Sequence, residues 1–466
     1  MPNDRETLRF FISLLIFTPG LLRAQAGDAS PPPPDNEESV ADRFWLSVQA
    51  NFIRQQYPTF NAPYSGPNSF LPAGEHATSR VETLYTGFRI TKNLEFLFDL
   101  ESAGGAGLSN ALGLAGYPNL DVVRNPSLSE DPYIARVMLH YTIPLSDETT
   151  EATRNPLSLA STVPVRRLEI RLGKMSTVDF FDLNSVGSDS HLQFMNWAMD
   201  NSGSFDYAAD TRGYTWGVVM EYYDKSWAAR FGELLMPTVA NGEVLDWDIA
   251  RARGENYEVE YHPSLLPQRS TVIRALAFVN HADMGTYRDA IDGYLSGVNA
   301  VPDITLYRRQ GNVKYGFGLN AEQELTSSAR IFGRLGWNDG RTESFAYTEI
   351  DRTAEVGGDF RGRRWKRSQD KIGAAFVVNG ISGDHRRYLA LGGDGFILGD
   401  GALSYGLEKI LETYYTAHIW RGFSAALDYQ HITNPGYNTV RGPVSVLSIR
   451  LHAEESIPFA RSGDSR

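Results

Sequence analysis

The chain contains no cysteine in 466 residues. That excludes a disulfide frame, a thiolate metal site and a cysteine nucleophile. Beyond the N-terminus no stretch reaches 18 consecutive apolar residues, so no transmembrane helix is expected. Basic residues are in deficit: 44 Lys and Arg stand against 56 Asp and Glu, for a formal charge of −12. A nucleic-acid partner is therefore not expected, because phosphate binding needs clustered Lys and Arg. Catalytic signatures are missing as well. There is no G-x-S-x-G, no H-E-x-x-H and no Walker loop, and the nine histidines are scattered without metal-ligand spacing. No cofactor, metal site or turnover chemistry is expected.

What is present is aromatic and glycine-rich sequence: 12% aromatics and 43 glycines, with a mean hydropathy of −0.31. This suits an all-β protein with many turns. The N-terminus reads as an export address. Arg5 and Arg9 lead into the apolar run Phe10–Phe17, and Ala24-Gln25-Ala26 is an A-x-A signal that places cleavage between Ala26 and Gly27. Residues 1–26 are thus expected to be a signal peptide, and 27–42, with Pro31 to Pro34, an extended Pro-rich periplasmic linker.

The rest of the chain is organised like its last hairpin. In Phe423–His431, Phe423, Ala425, Leu427 and Tyr429 share one face, while Ser424, Asp428 and Gln430 share the other. In Val444–Ala453, Ile449, Leu451 and Ala453 oppose Ser448, Arg450 and His452. Period-two alternation makes a strand whose two faces meet different surroundings. Sixteen such segments are read between Phe44 and Ala453. The connections between them mostly alternate long and short, with 144–166 an exception on the short side. Long loops at one end and tight turns at the other predict a transmembrane antiparallel up-and-down β-barrel of about 16 strands over residues 43–454, with short periplasmic turns and long extracellular loops. A soluble sandwich would show no such asymmetry.

On that reading one face of each strand meets outer-membrane lipid and the other a water-filled lumen. Glu95, Asp99 and Glu101 form an acidic row that fills every inner position of its strand except Leu97. Arg136, Arg167, Arg171, Arg230 and Arg274 are expected across the lumen from it, with Glu169 and Glu221 also facing inward. Such a transverse field would orient water and polar solutes, and neutral sugars can hydrogen-bond to both guanidinium donors and carboxylate acceptors. Trp197, in the long segment after the fifth strand, is the candidate for an apolar surface on which a sugar ring slides; anchoring that loop to the wall is the alternative role. Trp45, Tyr141, Tyr214, Trp227, Trp337, Tyr415 and Trp420 lie near strand ends and are candidates for interfacial girdles.

The blocks GLSNALGLAGYPN, RLGKMSTVDFFDLN, FMNWAMDNSGSFDYAADTRGYTWG, YTEIDRT, VVNGISGDH, LETYY and NPGYNTVRGPVSVLSIRLHAE resemble, in order, the carbohydrate-selective porins of the OprB type. The resemblance implies a sixteen-stranded outer-membrane barrel that passes monosaccharides or small oligosaccharides by facilitated diffusion. It also implies inward-folded loops, placed here at Gly104–Asn119 and Ser176–Asp210. The implied partners are outer-membrane lipid and the barrel-insertion machinery, and fold analogy allows a homo-trimer. The sequence departs from the pattern at its end. Glu454-Glu455 stands where such barrels carry a terminal aromatic, and residues 455–466 read as a C-terminal extension. Two other readings stay open: a general diffusion porin without sugar selectivity, and an exported β-rich glycan-binding protein or glycosidase, which would need a carboxylate pair at the right separation.

Overall fold

The computed structural model describes residues 43–122 and 128–456. The expected signal peptide and linker, and residues 457–466 of the expected extension, lie outside the described residues.

Sixteen strands close one antiparallel barrel: β1 Phe44–Tyr57, β2 Glu75–Thr91, β3 Leu94–Gly105, β4 Tyr133–Pro144, β5 Arg167–Met175, β6 Thr215–Tyr223, β7 Trp227–Leu235, β8 Arg253–Tyr261, β9 Thr271–Met284, β10 Arg309–Thr326, β11 Ala329–Asn338, β12 Arg352–Gly362, β13 Arg367–Gly380, β14 Glu408–Trp420, β15 Phe423–Thr433 and β16 Val444–Ser456. Each strand pairs with its sequence neighbours. The seam joins β1 to β16 from Ser47 opposite Ser456 to Gln56 opposite Leu447. Among the described residues the barrel itself leaves no sheet edge open, as hydrocarbon requires. Every one of the sixteen expected strands corresponds to a barrel strand, usually extended by a few residues at its ends.

The faces are inverted relative to a water-soluble protein. In β16, Leu447 and Ile449 are 53% and 52% exposed, while the intervening Ser448 and Arg450 are buried at 3% and 1%. β15 repeats the pattern, with Leu427 64% exposed and Asp428 buried. Apolar side chains presented outward around a closed sheet are stable only against lipid, so the outer surface is membrane-facing. Outward-facing Tyr141, Trp227, Trp337 and Trp420 suit the interfacial girdles. Two of the expected girdle residues face the other way. Trp45 lies on the inner face of β1 beneath the Arg154 guanidinium, and Tyr214 is buried inside the barrel. Parity decides the first, since Trp45 alternates with the inward-pointing Ser47 and Gln49; Tyr214 precedes β6 and belongs to the inserted segment.

The lumen is largely filled. Both segments expected to fold inward do so, joined by 339–351. Residues 108–119 are tied to the wall by Gln55 and Gln430, whose side-chain amides donate to the Pro118 carbonyl at 2.9 and 3.0 Å. Residues 176–214 cross the barrel and carry the short helix α1 (Trp197–Asp200). At the extracellular end two further helices, α2 (Tyr287–Leu295) and α3 (Gly383–Ala390), pack together.

These extracellular loops share a buried titratable group. His385 of α3 stacks on Tyr287 of α2 at 4.3 Å, and its Nδ1 lies 3.1 Å from the Asp351 carboxylate. Burial alone would push the His385 imidazole down; the neighbouring Asp351 and Glu349 carboxylates outweigh it and push it up to about 9. A histidine raised in the folded state contributes stability that is complete below its unfolded value of 6.5 and is lost as pH rises through about 9. Protease resistance of the extracellular loops should therefore fall between those limits. His385→Gln should remove that step, and an unchanged pH profile in the variant would show that another group controls it.

Candidate functional site

Seven of the expected lumen residues share one structural feature of the inner wall. Adjacent strands lie about 4.8 Å apart, so an inward-facing acid on one strand can reach a base on the next. Starting at β3, His140 bridges Glu95 (2.9 Å) and Glu169 (3.1 Å). Glu169 pairs with Arg167 (2.5 Å) and Arg171 (2.7 Å), and Arg171 reaches Glu221 at 2.8 Å. Arg230 then joins Glu221 (3.2 Å), Glu258 (2.9 Å) and Glu260 (3.1 Å). Arg274 closes the run by bridging Glu260 (2.7 Å) and Glu322 (2.9 Å). The result is a lateral ladder of alternating charge across β3 to β10.

This corrects the expected field. The arginines do not face the acids across the lumen; they sit beside them on neighbouring strands. Asp99 itself pairs with Arg136 at 3.2 Å. Lateral pairing neutralises the wall locally, so acidic and basic walls do not oppose each other across the pore.

Another set of carboxylates holds loops through their backbone amides. Glu412 accepts the backbone N–H groups of Met195 (2.6 Å) and Asn196 (3.1 Å). Glu408 accepts those of Ala115, Gly116 and Gly436 at 3.2, 2.7 and 2.8 Å. Asp206, within the inserted segment, accepts from Phe345, Ala346 and Tyr347 and pairs with Lys314 at 3.1 Å. A carboxylate offers several lone-pair positions, enough to satisfy consecutive amides of a loop that has no ladder partner.

Between these loops and the β2–β4 wall lies a cavity of about 240 Å³. Of the eleven expected lumen residues, Glu101, Arg136 and Trp197 line it. Trp197 stacks on Tyr347 with centroids 5.8 Å apart and planes 8° from parallel, and Tyr207 packs against Tyr347 at 4.7 Å. The Trp197 indole N–H donates to the Asn119 carbonyl at 2.8 Å, and the Tyr347 hydroxyl donates to the Trp197 carbonyl. Trp197 thus both faces the cavity and fastens two inserted loops together. In the same lining, Arg136 is clamped by Asp179 at 2.6 and 2.7 Å. Glu101 accepts from the Tyr214 hydroxyl at 3.0 Å and also from that of Tyr133. Asp121, His191, Asp210 and Arg212 complete the charged part of the lining.

Sequence reasoning missed Tyr207, Tyr347, Asp179 and His191 at this cavity. Asp179, Tyr207 and Tyr347 fall within blocks that carry the family resemblance, which was the available signal. His191 had none.

A closed barrel with a lipid-facing outer surface and a polar, loop-narrowed interior is an outer-membrane pore. The model of the carbohydrate-selective porin family OprB matches residues 69–454, and the chain belongs to that family. Among solved structures, the high-pH structure of Pseudomonas putida OprB superposes with a TM-score of 0.68 at 14% identity, covering 89% of this chain and 94% of that one. The low-pH structure of the same protein gives a TM-score of 0.47 at 11% identity over 89% and 93% of the two chains. No curated protein sequence matches. The protein is a carbohydrate-selective porin of the bacterial outer membrane.

Proposed function

We propose that sugars cross the lumen through the 240 Å³ cavity, one ring at a time, against the faces of Trp197 and Tyr347. The observation that carries this reading is the composition of the cavity: the stacked rings of Trp197 and Tyr347 share its lining with polar and charged groups. A pyranose has apolar C–H faces and an equatorial rim of hydroxyls, and both find partners there. Arg136 and Glu101 supply donors and acceptors to the rim. The Arg136 charge is already paired with Asp99 and Asp179, and Glu101 already accepts from tyrosine hydroxyls, which suits a neutral solute. Weak binding at several points allows exit as well as entry, and the solute gradient alone drives net flux. The reading is a channel without turnover chemistry.

The test is liposome swelling with the folded porin, using glucose, a disaccharide and a sugar acid of glucose size. The expected result is rapid, saturable entry of glucose and slower entry of the sugar acid. Rates ranked by size alone, without saturation, would reduce the protein to a general diffusion pore.

A further inference from the structure

Three oddities of the sequence meet at one place. Leu97 is the apolar residue that interrupts the acidic inner row of β3, between Glu95 and Asp99. Gly87 leaves a gap on the inner face of β2, directly opposite Leu97 in the β2–β3 register. The connection 145–166 is far longer than the other turns at its end of the barrel, where residues 92–93 suffice between β2 and β3. The structure joins all three through Leu159.

Leu159 is fully buried. A side chain built at Gly87 would meet the Leu159 methyl at 2.9 Å and the Leu97 methyl at 2.9 Å, so the glycine makes the pocket that the leucine fills. The Leu159 N–H donates to Glu95 Oε2 at 3.0 Å, and the Leu157 carbonyl accepts from Arg171 Nη1 at 2.7 Å. The base of the connection is a two-stranded ribbon, Thr149–Glu151 with Thr162–Pro164. It is tied outside the mouth by Lys225–Glu148 at 2.7 Å and by Arg154 donating to the Phe44 carbonyl at 2.9 Å. Residues 155–160 therefore rise from the ribbon into the barrel and lie on the charged ladder.

We infer that this strap is a second, periplasmic size filter in series with the aromatic cavity. It occupies lumen cross-section at the level of Glu95, Leu97 and Arg171. Apolar Leu157 and Leu159 cover ladder charges that would otherwise hold water. A solute leaving the cavity must pass the strap to reach the periplasm, so the strap sets how long a sugar chain can exit. The inference rests on the lumen being the sugar path and leaves cavity affinity to the residues above.

The experiment compares the full chain with three variants in planar bilayers and swelling assays. In one, an Asn-Gly turn replaces residues 152–161. The others are Leu159→Gly and Gly87→Leu, which empty or occupy the pocket. Each should raise single-channel conductance by about twofold or more and admit a trisaccharide that the parent excludes. The half-saturation concentration for glucose should stay unchanged. Unaltered conductance and size limit in the two point variants, with heat-resistant barrel mobility retained, would overturn the inference, whether or not the shortened chain folds. If the variants conduct more but no form shows sugar saturation, the cavity reading fails and the strap stands.

Discussion

Arg334→Leu should open the pore and abolish its discrimination among sugars. Arg334, on β11, has a fully buried side chain. Its guanidinium donates to the Met199 carbonyl at 2.7 Å, the Asp200 carbonyl at 3.0 Å and the Ser188 hydroxyl at 2.8 Å. It also pairs with Glu355 at 3.2 Å and Asp182 at 3.4 Å. One side chain thus fastens the stretch at Ser188 and the C-terminal end of α1 to the wall. Leucine keeps much of the volume and removes every donor. Asp182 and Glu355 would be left buried without their cation, a loss of about 3–5 kcal/mol in typical buried pairs. The barrel strands are held by their own ladders and should persist. The part of the inserted segment between Ser188 and Asp200 should loosen about its Glu412 contacts at Met195 and Asn196, while the Asp179 clamp on Arg136 and the Asp206–Lys314 pair hold the rest. Conductance should rise and glucose saturation vanish, while the folded barrel retains its mobility on gels. Arg334→Lys should restore part of the selectivity, since an ammonium can neutralise one carboxylate but cannot span both carbonyls. Parent-like saturation in the leucine variant would show that the loop holds its place without this anchor.

The sequence disclosed the barrel because lipid and lumen write a period of two into each strand. Leu447, Ile449 and Leu451 against Ser448, Arg450 and His452 need no partner to be read. It did not disclose which charges meet. Arg230 and Glu258 are 28 residues apart and become neighbours only through the β7–β8 register. Without register, a wall of acids and a wall of bases looked like opposite sides of a pore; with it, they are adjacent rungs. The loop anchors were still less legible. Glu412 alternates in β14 like any inner acid, yet its ligands are the amides of Met195 and Asn196, more than 200 residues earlier. The most informative residues were those that broke the pattern. Leu97 and the overlong connection 145–166 each violated a local rule, and a single buried leucine resolves both. Local departures of this kind are expected where a fold serves function.

Trp197 offers the sharpest separation between a wall residue and a binding residue. It has two jobs, with different chemical demands. As an anchor it donates its indole N–H to Asn119 and packs edge-on to Tyr117 at 5.6 Å. As a surface it stacks on Tyr347 beside the cavity. Trp197→Phe removes the N–H and keeps an aromatic face. The cost should be about 1 kcal/mol of loop stability from the lost hydrogen bond, with glucose saturation retained. Trp197→Ala removes both, leaving a void of the kind that costs about 3–5 kcal/mol in packed interiors. Half-saturation for glucose should then rise about tenfold, equivalent to ~1.4 kcal/mol of lost contact. Current noise from sugar blocking, read in the same bilayer as the ion conductance, distinguishes the roles. If Trp197 only anchors, both variants shift ion conductance in proportion to their destabilisation, and sugar blocking follows it. If it is the sliding surface, phenylalanine preserves blocking while alanine shifts it to about tenfold higher sugar concentration, even after a second measurement at low temperature has restored the parent conductance. Blocking that survives unshifted in the alanine variant would move the sugar path away from this ring.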